Sequence, residues 1–284
     1  MKLKDSLRKG NQFLNDKGYF DSYKDNIFHH KMDEKFQKMF DNGSGGELHS
    51  KAEAIHSSSM LSYNIFHNIS RNCPITFEGV TYYDVLFELK LLTIKGSPAP
   101  ANMDVVLIGE KEGKMHVMFI ESKFLEYVDN KKSELSSSYS KEDKWLVTNV
   151  DWPKIIEAQP AEKGYHEGIK QAVTHLFGIH NLLINNVHVP ELKMVDMEKT
   201  SFEFVNMIYE PDDRFEESHS YENYKNLYKK FVNKIEDVKG LRIIPRWVSY
   251  SEWWKETENQ YPEELRSYIN MRYMQYAKKD SYTW

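Results

Sequence analysis

The 284-residue chain is 40% hydrophobic, 14% aromatic and 29% charged, enough apolar material for a sizeable core in a soluble protein of one large domain or two small ones. No apolar run approaches a membrane span, Met1-Lys2-Leu3-Lys4-Asp5 lacks the apolar stretch of a secretory leader, and the single Cys73 excludes an internal disulfide and a multi-cysteine zinc site. A cytoplasmic protein is therefore expected; the net charge of −5 argues against tight non-specific nucleic-acid binding but leaves room for a local basic stripe.

Residues 1–44 read as a polar N-terminal helical extension. In it Phe28, Met32, Phe36 and Met39-Phe40 recur at helical spacing, and Asn42-Gly43-Ser44-Gly45-Gly46 breaks the chain. A helix is predicted from Glu47 to Asn68, with Leu48, Ala52, Ile55, Ser59 and Phe66 on one face. Tyr82 to Ile94 then alternates as a strand around Val85, Phe87, Leu89 and Leu91. Two further strands, 103–108 and 115–124, flank a hairpin turn within Gly109–Lys114. Residues 128–163 are mostly polar and read as an insertion or mobile loop; its Lys131-Lys132, Lys141, Lys144 and Lys154 are candidates for a basic stripe. A second strong helix is predicted from Gly164 to Leu183, then a strand at Phe202–Tyr209, a helix at Tyr221–Val238 and a strand at Leu241–Val248. The tail, 251–284, reads as helical, interrupted around Pro262 and packed on the core. This order predicts one α/β domain over 45–250, a mixed central β-sheet flanked by helices.

Asp104 opens the strand Met103–Ile108, and Glu121-Ser122-Lys123 closes the apolar strand Val117–Ile120. Side chains two apart on a strand share a face, so Glu121 and Lys123 project together. A two-residue turn at Glu112-Gly113, or a four-residue loop at Lys111–Lys114, pairs Glu110 with Met115 and sets Asp104 opposite Glu121. A three-residue loop would turn Asp104 to the other face. Two carboxylates suit Mg²⁺, which takes oxygen ligands and keeps water and substrate phosphate in its shell. A lysine beside them can orient or help deprotonate an attacking water, or stabilise charge on the transition state. The competing reading is a structural acid–lysine ion pair.

These residues resemble the PD-(D/E)XK, or restriction-endonuclease-like, nuclease superfamily, whose core is an α-β-β-β-α-β arrangement. Pro100-Ala101-Asn102-Met103-Asp104 resembles its first signature, with the proline earlier than directly before the acid, and Glu121-Ser122-Lys123 matches its triplet in full. Glu47 resembles the acid of the first helix, with Glu53 as competitor, and Gln171 resembles the glutamine of the helix after the triplet. The resemblance implies a metal-dependent endonuclease of the restriction or defence type, with DNA as partner and a homodimer left open. It implies Asp104, Glu121 and Glu47 as ligands of Mg²⁺ (or Mn²⁺ as substitute), with the Ile120 or Ser122 backbone nearby. Lys123 would handle the water and Gln171 would position substrate or water. The alternative keeps the fold without catalysis, as a module binding nucleic acid or a protein.

Other motifs point less clearly. No HExxH occurs among the eleven histidines, although His49 and His56 are spaced to share a helix face and His175 follows Gln171 by one turn. Gly43-Ser44-Gly45-Gly46 lacks the Lys-Ser ending of a phosphate-binding loop. Core packing accounts for the C-terminal aromatics, such as Trp253 and Trp254, more simply than base stacking does.

Overall fold

Four strands run as successive antiparallel neighbours: β1 (Ile75–Phe77), β2 (Val80–Leu91), β3 (Ala101–Lys111) and β4 (Lys114–Lys123). The computed structural model of the chain describes all residues except 10–13, 16, 44, 45, 50, 98, 99, 129–131, 159–164, 186, 188 and 280–284, and leaves aside the side chains of 49, 165 and 185. Part of the glycine-rich break, Lys131 and Gly164 thus lie outside the described residues, as does the side chain of His49. Glu112 and Gly113 close the β3–β4 hairpin with φ of +52° and +76°. Two left-handed residues match the twist of the flanking strands, and glycine takes that φ without strain. Glu110 accordingly faces Met115 and Lys111 faces Lys114, the register that the two-residue turn predicts.

After a short ladder of β5 (Lys132–Ser133) with β6 (Tyr165–His166), β7 (Ser201–Ile208) joins β4 in parallel and β8 (Arg246–Ser249) joins β7 in parallel. The result is a mixed six-stranded sheet in the order β1-β2-β3-β4-β7-β8. Parallel neighbours need long crossovers, and helices supply them here.

The helices are α1 (Leu3–Lys9), α2 (Glu34–Asn42), α3 (Ser58–Phe66), α4 (Trp152–Glu157), α5 (Glu167–Asn185), α6 (Glu217–Ile235), α7 (Tyr250–Thr257) and α8 (Glu263–Arg272). On one face, α5 and α6 meet where Gly168 abuts Tyr224; a Cβ there would lie 2.0 Å from the phenol oxygen, so only glycine admits the contact. The other face carries α3 and α7, where Trp253 packs on Phe66 and Phe77 at ring separations of 5.1 and 4.7 Å. No helix among the described residues is long and apolar enough to cross a membrane.

Four expected elements differ, among them the strand expected over Leu241–Val248, which is confined to β8 from Arg246 onward. The helix expected through Phe28–Phe40 is limited to α2, because His29 and His30 adopt φ of +60° and +54° and break the chain before it. The helix expected from Glu47 is a single 3-10 turn, Glu47–His49, and α3 starts only at Ser58, where Ser57 caps it by accepting from the N–H of Met60. The polar 128–163 segment is anchored rather than loose over much of its length: Trp145, Val147, Trp152 and Ile155 are buried, and Trp152 stacks on Phe177 of α5 at 3.7 Å.

Candidate active site

Extending the β3–β4 register by one pair sets Asp104 opposite Glu121. Glu121 pairs with Asn206 on β7, while Phe87↔Val105 and Leu89↔Met103 bracket Glu88 opposite Asp104. One rung of the sheet thus reads Glu88, Asp104, Glu121, Asn206. The alternation of β4 sends Glu121 and Lys123 to the α5 face and Ser122 to the opposite face. The Lys123 ammonium donates to Glu121 Oε1 in a short contact, and Asp104 Oδ2 accepts from the Ser122 N–H at 2.7 Å. Behind the strand, Ser122 Oγ lies 2.6 Å from the Tyr250 hydroxyl and 3.4 Å from the carbonyl of Ser58.

Glu47, Asp104, Lys123 and Gln171 line one cavity of about 300 Å³, with Lys51 and His166. Glu121, 1% exposed, sits behind its wall, held by Lys123. Glu47 reaches the cavity from its 3-10 turn, accepting from Lys51 at 2.7 Å and from the Ser59 hydroxyl at 3.2 Å. Glu53 is not among the cavity's lining residues; its carbonyl accepts from Phe20 N–H in the N-terminal extension. Two larger clefts, of about 900 and 770 Å³, contain none of the five expected residues.

The electrostatics are those of crowded carboxylates. Burial, then repulsion from Glu121 and Glu88, pushes the Asp104 carboxyl well above its ordinary range, against the pull of Lys123 and the Ser122 N–H. Burial and the nearby Glu47 raise Glu88 to about 8, opposed by the Asn102 amide that donates to it at 3.1 Å. Burial alone would lower Lys123, but Glu121 and Asp104 hold it above its ordinary value. A lysine so held is a fixed positive charge, which removes deprotonation from its three expected roles and leaves orientation and charge stabilisation. Burial lowers His166 to about 4, so it is neutral at pH 7, stacked on Tyr224 at 4.4 Å.

Glu88 and His175 complete the site; Glu88 escapes the sequence reading, which carries His175 only as the residue one turn after Gln171. Glu88 fell on the side opposite Val85, Phe87 and Leu89 in the alternation; a carboxylate within so apolar a strand was the available signal. His175 follows Gln171 by one turn, and its Nδ1 lies 3.3 Å from Glu121 Oε2.

Glu88 makes a pH prediction. An acid whose folded pKa is raised adds stability below its unfolded value, near 4.5, and loses it as pH climbs to about 8. Glu88→Gln keeps an acceptor for Asn102 and removes the titration. It should raise the melting temperature by several degrees at about pH 9 and leave it nearly unchanged at about pH 5. A shift of equal size at both pH values would contradict the assignment.

The donors suit a hard divalent cation in kind: the carboxylates of Glu47, Glu88, Asp104 and Glu121 act on one another electrostatically, with Lys51 and Lys123 opposing them, and Glu121 Oε2 is buried with no hydrogen-bond partner among the described residues. Among those residues no three His, Cys, Asp or Glu side chains already stand together as a metal cluster. A cation here would therefore draw on main-chain oxygen, water or substrate phosphate as well. Compared with known proteins, the chain matches no family model, no curated protein and no solved structure.

Proposed function

We propose that this cavity is the active centre of a metal-dependent phosphodiester hydrolase acting on DNA, of the restriction or defence type, built on a restriction-endonuclease-like core. The observation that carries the reading is the coupling of Asp104 to the triplet: its carboxylate is tied to the Ser122 main chain while Glu121 and Lys123 flank it on one face. The chain order α3, β2-β3-β4, α5, β7 supports the same core.

In this reading Asp104 and Glu121 hold Mg²⁺, or Mn²⁺ in its place, with Glu47 as a further ligand. The bound ion supplies Lewis acidity toward the scissile phosphate and acidifies the attacking water. Lys123, fixed as an ammonium, orients that water and offsets charge gathering on the phosphate oxygens. Gln171, on the same cavity wall, positions water or substrate. Lys51 adds a second positive charge beside Glu47, and exposed Lys132 and Lys141 lie in the segment that the β5–β6 ladder ties back to the cavity.

The test is cleavage of plasmid and single-stranded DNA by the purified chain with Mg²⁺ or Mn²⁺, beside Asp104→Asn. Metal-dependent nicking that falls at least about a hundredfold in the variant supports the reading. Activity that survives the substitution, or none with either ion, counts against it. One observation favours the non-catalytic alternative: Glu121 is already engaged by Lys123 and faces His175. A module of that kind would bind DNA or a protein without taking up a divalent ion.

A further inference from the structure

His175 is 2% exposed, and its ring is fixed on two sides. Nε2 lies 3.0 Å from the carbonyl oxygen of Asn102, and Phe204 meets the ring edge-on at 5.8 Å and 84°. A carbonyl only accepts, so the ring proton sits on Nε2 and Nδ1 presents its lone pair. Nδ1 lies 3.3 Å from Glu121 Oε2, yet the two atoms form no hydrogen bond. Neither has another hydrogen-bond partner among the described residues, and the other oxygen of Glu121 takes the Lys123 ammonium.

Two buried atoms this close, each with an unshared lone pair, are costly unless a proton or a metal ion joins them. A second ring proton would serve. A metal ion bonded to both atoms would serve as well. At metal–ligand distances of about 2.1 Å, adjacent corners of an octahedron lie about 3 Å apart, close to the observed spacing.

We infer that His175 Nδ1 and Glu121 Oε2 form one edge of the divalent-cation site, giving it a nitrogen ligand and a preference for first-row transition-metal ions over Mg²⁺. The inference rests on the metal-dependent reading above and adds a ligand that reading lacks. Imidazole nitrogen is a poor partner for a hard ion such as Mg²⁺ and a good one for softer divalent ions. Asn102, whose carbonyl fixes the tautomer while its amide holds Glu88, links the nitrogen ligand to the carboxylate rung.

The experiment is calorimetric titration of the full chain with Mn²⁺ and separately with Mg²⁺, together with pulsed EPR on the Mn²⁺ complex, read for ¹⁴N coupling. Wild type, Asp104→Asn, His175→Gln and His166→Gln are compared; the last controls for the other histidine of the cavity. The expected result is Mn²⁺ bound at least about tenfold more tightly than Mg²⁺ and a ¹⁴N coupling in the wild type. His175→Gln should remove that coupling and weaken Mn²⁺ by about 10–100-fold, while His166→Gln retains both. The wild-type EPR spectrum needs no variant to fold: bound Mn²⁺ without ¹⁴N coupling overturns the inference. So does a coupling that survives His175→Gln. If Asp104→Asn abolishes binding while His175→Gln changes neither affinity nor preference, this inference fails and the proposed function stands. If the wild type binds neither ion, both fail.

Discussion

Lys123→Ala should cost about 3–5 kcal/mol of stability and about 10²–10³-fold in cleavage rate, and adding Glu121→Gln should restore the first loss without the second. The two side chains are 10% and 2% exposed and joined by a short ion pair. Removing one member of a buried pair leaves the other charged, out of water and without its partner, which is what makes single replacements expensive. Glutamine at 121 removes the stranded charge and keeps an acceptor of similar shape, so unfolding by urea at pH 7 should return close to the wild-type midpoint. Cleavage should not return, since the fixed ammonium and the carboxylate proposed as a metal ligand are both gone. A double variant that nicks plasmid at the wild-type rate would remove the triplet from the chemistry. One that stays as unstable as Lys123→Ala would show that the pair is not what the lysine contributes to the fold.

Trp152→Ala should destabilise the chain by about 3–5 kcal/mol, a large share of the roughly 5–15 kcal/mol that holds a domain folded. The indole is fully buried, stacks on Phe177 with planes 14° apart, and donates from Nε1 to the Val147 carbonyl at 2.7 Å. Truncation opens a cavity between α4 and α5 and leaves that carbonyl without its donor. Phe177 lies on the helix that presents Gln171 and His175, so α5 and the 128–163 segment loosen together. The measurement is the urea midpoint, with limited proteolysis reporting where the chain opens. Loss of less than about 1 kcal/mol, or cleavage no faster within 128–163, would show that the segment is not anchored through this ring.

What the sequence makes legible follows from how local the physics is. The Glu112-Gly113 turn is a two-residue signal, and once it is read the register of Asp104 against Glu121 is arithmetic. The Glu47 helix fails for a non-local reason. Its apolar spacing is genuine, but the main chain at 52–55 is claimed elsewhere: Asn26 donates to the carbonyls of Ala52 and Ala54, and Ile55 N–H donates to Gly18. Those partners lie more than twenty residues upstream, where no periodicity count could place them. The helix expected through Phe28 fails at His29 and His30, whose left-handed φ no α-helix admits. In the 128–163 segment, polar composition hides a few large anchors such as Trp145 and Trp152. Glu88 is hidden by a backbone event: its φ of +52° interrupts the strand geometry on which alternation depends. The meeting of His175 with Glu121 belongs to the packing of a helix on a sheet, which spacing along one chain does not record.

Ser122 faces away from the cavity and is held there by Tyr250, the first residue of α7, whose start is locked by the reciprocal Ser249–Glu252 cap. The acid and the lysine on either side therefore inherit their aim from a helix that never enters the cavity. The C-terminal region acts as a jig for the strand end, so changes made there, far from any reacting atom, would be felt first as a misalignment of Glu121 and Lys123.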